Sequence, residues 1–230
     1  MKKNRELKTE AKAMLKGNWM DAVLLNLVPT LLLLAVFYLI LLPSFMLIYH
    51  FTGDGASITA QSNSGTSSGG QFISGLIGTF FSLAVTWTLL DMLRHKREKI
   101  VPFKDAFRTF TSPYALVIFV VYLLQTIFIA LWSLLLIIPG IIKRYSYYQA
   151  YNIFYDTYEH TGERLGYLDC ITASRKLMNG HKGQLFILEV SFIGWHILAI
   201  MTLGIGYLWL NPYIAATKAA FYDALPKELA

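Results

Sequence analysis

Four long stretches of this chain carry almost no group that can hold a charge, and that limits its fold more than any other feature. Between Asp21 and Asp54 there is no Asp, Glu, Lys or Arg, and there is none between Asp54 and Asp91. Arg108 to Lys143 is a third such interval, and Lys182 to Lys218 holds a single ionisable acid, Glu189. A helix rising about 1.5 Å per residue needs about 20 mainly apolar residues to cross a bilayer core. The first three intervals each contain one such run, and the last has room for two shorter ones. Only 15% of the 230 residues are charged, against about a quarter in an ordinary soluble domain. The pattern predicts an all-α, polytopic membrane bundle, because helices satisfy their own backbone groups where water is absent.

The formal net charge is +6, but twelve of the 20 basic residues lie in two clusters, from Lys2 to Lys16 and from Arg94 to Arg108. Both clusters flank apolar runs, where the positive-inside bias and anionic lipid headgroups account for them without nucleic acid. The single cysteine, Cys170, excludes an intrachain disulfide, and no Cys/His spacing suits zinc. No metal or cofactor is expected. The apolar run after residue 21 is too long for the core of a cleavable signal and reads as a retained span.

Six spans are expected, at about residues 22–42, 72–93, 114–138, 141–158, 184–202 and 205–225. They form one membrane domain over residues 1–230, in the plasma membrane, with both termini cytoplasmic. Residues 1–18 have Leu7, Ala11, Met14 and Leu15 on one stripe among lysines, which predicts an amphipathic cytoplasmic helix lying in the interface. Residues 52–71 are Gly, Ser and Thr without Lys or Arg, and read as a flexible extracytoplasmic loop. Residues 100–112 place Phe103, Phe107 and Phe110 on one face, suited to the inner surface, and residues 159–183 form a cytoplasmic loop and helix. The fourth span is short of apolar residues. It is expected to cross because otherwise Arg164, Arg175, Lys176 and Lys182 would lie outside, against the charge bias.

That segment holds six of the 14 tyrosines. Tyr148, Tyr151, Tyr155 and Tyr158 share one helix face, which either packs on other helices or lines a cavity. The final two spans carry a second polar pattern. With a turn at Leu203-Gly204, antiparallel pairing sets Glu189 opposite Lys218 and His196 opposite Asn211. Within each helix the polar residues are two turns apart and so share a face. These pairs serve either as structural bonds or as a proton or substrate site.

Several phrases carry a family resemblance: R-E-L-K at 5–8, L-K-G-N-W at 15–19, I-P-G-I-I-K at 138–143, S-R-K-L-M-N-G-H-K at 174–182 and L-G-I-G-Y-L-W-L-N-P-Y at 203–213. Together they resemble the integral membrane proteins of Gram-positive bacteria catalogued as domain of unknown function 975. The resemblance implies a polytopic membrane protein and no assigned activity. From the residues themselves, three functions compete. The first is a non-enzymatic membrane protein that binds lipid or another amphipathic molecule, or assists a membrane partner, with anionic headgroups as neighbours. The second is a small-solute transporter, which broken helices and internal repeats would support. The third, an intramembrane enzyme, lacks any H-E-x-x-H pair or G-x-S-x-G elbow.

Overall fold

Apolar runs without a hydrogen-bonding environment coil into helices, and in the computed structural model every regular element among the described residues is helical. The described residues are 2–46 apart from 37, 40, 41 and 45, and 68–226 apart from 136. The elements are α1 (Asn4–Leu15), α2 (Trp19–Val36), α3 (Ser68–Leu93), α4 (Pro102–Ala106), a 3₁₀ turn (Arg108–Phe110) and α5 (Tyr114–Leu135). They continue with α6 (Ile137–Tyr147), α7 (Ala150–Thr161), α8 (Tyr167–Leu177), α9 (Lys182–Val190), α10 (Ile193–Met201) and α11 (Tyr207–Asp223). Most of the Ser/Gly loop expected at 52–71 lies outside the described residues, and its last four residues already belong to α3.

Among the described residues, three helices are long and apolar enough to cross a membrane: Gly70–Leu93, Tyr114–Leu134 and Lys182–Met201. That is fewer than the six expected, and the other three fall short for separate reasons. The described apolar part of the first, Trp19–Leu32, is too short. The fourth breaks at Tyr148-Gln149 into α6 and α7. The sixth, α11, is 17 residues long and carries Asn211, Lys218 and Asp223. The expected fifth span, Lys182–Met201, is interrupted for two residues at Ser191-Phe192, between α9 and α10.

Although broken, α6 and α7 together run back along α5. Lys143 lies over Trp132, Gln125 Nε2 donates to the Tyr147 carbonyl at 3.0 Å, and Tyr114 O–H donates to Glu159 at 2.8 Å. Near the tip, Gly140 presses on Ser133 so closely that a Cβ would collide with its side chain and Cα. The turn between α10 and α11 falls at Leu203-Gly204, both with positive φ, and the Gly204 N–H donates back to the Ala199 carbonyl at 3.0 Å.

One amphipathic segment differs from expectation. The α1 stripe of Leu7, Ala11 and Leu15 is fully buried within the protein, where an interfacial helix would turn it to lipid. A stripe of this width fits a protein groove as well as an acyl layer, so periodicity alone does not separate the two. Lysines anchor the docked helix: Lys8 Nζ donates to the Ser191 carbonyl at 3.3 Å and sits 4.2 Å over the Phe192 ring. Residues 100–112 also touch α3, with Phe110 stacked on Phe80 at 4.7 Å and Phe107 edge-on to Phe81 at 5.8 Å, while Phe103, Phe107 and Phe110 all keep an exposed face. The core gathers around Trp87 of α3, Phe154 and Tyr155 of α7, and Phe221 and Tyr222 of α11, all essentially inaccessible.

Candidate functional site

The helix hairpin of α9–α10 and α11 sets its polar side chains against an otherwise apolar surface. Glu189 projects from the last turn of α9, and Lys218 from α11 across from it, with Nζ 2.7 Å from Oε1. The second carboxylate oxygen accepts the Tyr145 hydroxyl of α6 at 2.6 Å. Tyr148, in the turn after α6, lays its ring 5.2 Å from Lys218 Nζ. Four polar side chains from three parts of the chain thus meet in one cluster. Beside it runs an open groove of about 340 Å³ lined by Glu189, Val190, Phe192, Ile193, His196, Ile214 and Lys218.

The second expected pair does not meet. His196 lies against the Tyr207 ring at 5.6 Å, while Asn211 is exposed. Equal-depth pairing assumes two uninterrupted helices, and the first is interrupted at Ser191-Phe192. Glu189 precedes the interruption and finds its partner; His196 follows it and does not.

The tyrosine face is divided by the break at Tyr148-Gln149. Tyr148 belongs to the Lys218 cluster, and the other three pack in the core. Tyr155 stacks on Trp87 at 4.7 Å and donates its O–H to Asp91 at 2.7 Å, and Tyr158 meets Tyr114 at 5.6 Å. Tyr151 is buried with its hydroxyl unpartnered, as is Gln149 Nε2. Gln149 also ends a polar chain in which Trp87 Nε1 donates to Asn152 and Asn152 Nδ2 donates to Gln149.

Sequence reasoning missed an ion network at the C-terminal end of α3. Arg94 makes two bonds to Asp156 of α7, at 2.7 and 3.0 Å, and one to Asp223 of α11 at 2.8 Å. Tyr222 O–H adds a bond to Asp156 at 2.9 Å. Arg108 reaches Asp91 at 2.9 Å and Arg97 reaches Asp105 at 2.6 Å. Burial pulls the Arg94 guanidinium toward neutrality, but the bonds and charges of Asp156 and Asp223 outweigh it and hold the group above its ordinary range. These arginines were read as headgroup contacts of a basic cluster. Their charge is in fact spent inside the protein, and among the described residues of that cluster His95, Lys96, Lys99 and Lys104 stay exposed. The sequence signal was the lone Asp91 inside an apolar run, since an acid there requires a cationic partner.

An ion pair beside an apolar groove can bind a polar headgroup or exchange a proton, and it needs no metal to do either. Among the described residues no group of three or more His, Cys, Asp or Glu could hold a metal ion. A family described as Protein of unknown function (DUF975) matches the chain over residues 1–143 and 134–228. No curated protein and no solved structure matches it.

Proposed function

Because the chain belongs to the DUF975 family, whose description assigns no activity, we propose its function from geometry: a non-enzymatic membrane protein that holds an amphipathic molecule in the groove between α9–α10 and α11. The observation that carries this reading is the lining itself. Val190, Phe192, Ile193 and Ile214 supply an apolar wall, and Glu189, Lys218 and His196 supply polar groups at one side of it. Such a site suits a molecule with a tail and a polar head.

The finer topology is part of the proposal. Six crossings of a plasma membrane, with both termini cytoplasmic, are supported by the return of α6–α7 along α5 and by the basic clusters at Lys2 to Lys16 and Arg94 to Arg108. Exposed Leu116, Phe119, Leu123, Ile127 and Leu131 on α5 suit contact with acyl chains. Lys96, Lys99 and Lys104 suit anionic headgroups. A structure in lipid nanodiscs tests the reading: tail density along Ile193 and Ile214, with a head at Lys218, is the expected result. An empty groove would overturn it.

One observation favours a small-solute transporter as the second reading. Helices break at Tyr148-Gln149 and Ser191-Phe192, on either side of the Glu189–Lys218 pair, and transporters place their sites at such breaks. A water-filled vestibule reaching the pair from one side would support that reading over the first.

A further inference from the structure

Resting on the groove reading above, we propose that the site takes the monoanionic headgroup of an amphipathic molecule at Lys218, and that Glu189 takes up one proton as the headgroup binds. In the structure as it stands the site holds one cation and one carboxylate, 2.7 Å apart. The other groups facing them are few. From α6, Tyr145 donates to Glu189, and Arg144 lies within electrostatic reach of the same carboxylate. From the following turn comes Tyr148, from α10 His196 along the groove, and from α1 Lys8, held at the Ser191 carbonyl and over Phe192.

An oxyanion reaching Lys218 from the groove competes with the Glu189 carboxylate for one ammonium. Two anions at one ammonium in a partly buried site repel, and protonating one of them relieves it. The exchange balances: Lys218 trades its bond to Glu189 for a bond to the headgroup oxygen, and water supplies a proton that forms an O–H on Glu189. The pair and the headgroup together stay neutral before and after. Lys218 is the one cation bonded to the pair, so a headgroup with one negative charge matches it, and a second charge would have only the more distant Arg144 and Lys8 to offset it. Val190, Ile193 and Ile214 beside the pair favour an anion that carries a tail over a bare ion.

Calorimetric titration of the full-length protein in a nonionic detergent tests this. The probe is dihexanoyl phosphatidylglycerol, a permanent monoanion, run in two buffers of different ionisation heat. Dihexanoyl phosphatidylcholine and inorganic phosphate are the comparators. The proposal expects the phosphatidylglycerol to bind with about one proton taken up, and its affinity to fall about tenfold per pH unit once the free carboxyl is ionised. Both comparators should bind more weakly by about tenfold or more. Glu189→Gln should bind the phosphatidylglycerol more tightly than wild type at neutral pH, with the proton uptake and the pH slope both lost. Lys218→Met should lose the preference for the anionic lipid. Inorganic phosphate binding as tightly as the lipid would make the source a free ion and overturn the role given to the apolar wall. Lipid binding without proton uptake would overturn the exchange while leaving the groove reading in place. Binding of neither lipid would overturn the groove reading itself.

Discussion

Replacing Glu189 with Gln removes the carboxylate that sits 2.7 Å from Lys218 and leaves the ammonium with the Tyr148 ring and a neutral amide. Replacing Lys218 with Met leaves the carboxylate with the Tyr145 hydroxyl. Breaking a fully buried pair from one side costs about 3–5 kcal/mol, whereas an exposed pair is worth about 0–1 kcal/mol. Here the side chains keep 23% and 31% of their surface open, so water recovers part of the loss and the estimate falls between those limits. We expect each single variant to lose about 2 kcal/mol, with Glu189→Gln the worse because Lys218 is the more enclosed partner. For a chain of this length that is a drop in Tm of about 4–8 °C. The double variant should lose less than the sum of the two, with a coupling of about 1–2 kcal/mol. The assay is thermal unfolding of the purified protein in one detergent, all four proteins side by side. Simple additivity would mean that the two charges do not stabilise one another, and the account of this cluster would be wrong.

Arg94→Met should cost more than either, about 3–5 kcal/mol, because it removes the cation that Asp156 and Asp223 share in a site where the arginine is 14% exposed. Adding Asp223→Asn should return part of that loss in the same unfolding assay. Leu7→Ala should cost about 2–5 kcal/mol if α1 is docked on the bundle, and well under 1 kcal/mol if its stripe faces detergent. Cys170 is fully buried, and burial pushes its thiol up to about 12. A raised thiol stays protonated and unreactive below that value, so maleimide labelling of the native protein should stay low at both pH 7 and pH 9 and rise only on unfolding. Rapid labelling at pH 9 would contradict the burial.

What could be read without coordinates was what depends on short stretches of chain. The described parts of the charge-free intervals are largely helical, the turn falls at Leu203-Gly204, and equal spacing from that turn identifies Lys218 as the partner of Glu189. The motif at 138–143 and the phrases around it carry the family resemblance that the match over both halves of the chain bears out. The reading failed where a local pattern has two physical solutions. The stripe of Leu7, Ala11 and Leu15 fits lipid or protein, and only its burial against the bundle decides between them. It failed too where partners are distant in sequence, as Arg94 is from Asp156 and Asp223, at separations of 62 and 129 residues. Helix interruptions were the third source of error. Nothing short of packing marks the one at Ser191-Phe192, and beyond it His196 lies against Tyr207 and not at Asn211.

Native mass spectrometry of the full-length protein, released from detergent after extensive washing, tests the groove most directly. Wild type should retain one lipid of a single mass class, and Lys218→Met should be bare while still folded, as judged by its unfolding transition. Wild type emerging without lipid, or Lys218→Met retaining the same lipid in the same amount, would contradict the assignment of that groove as the binding site.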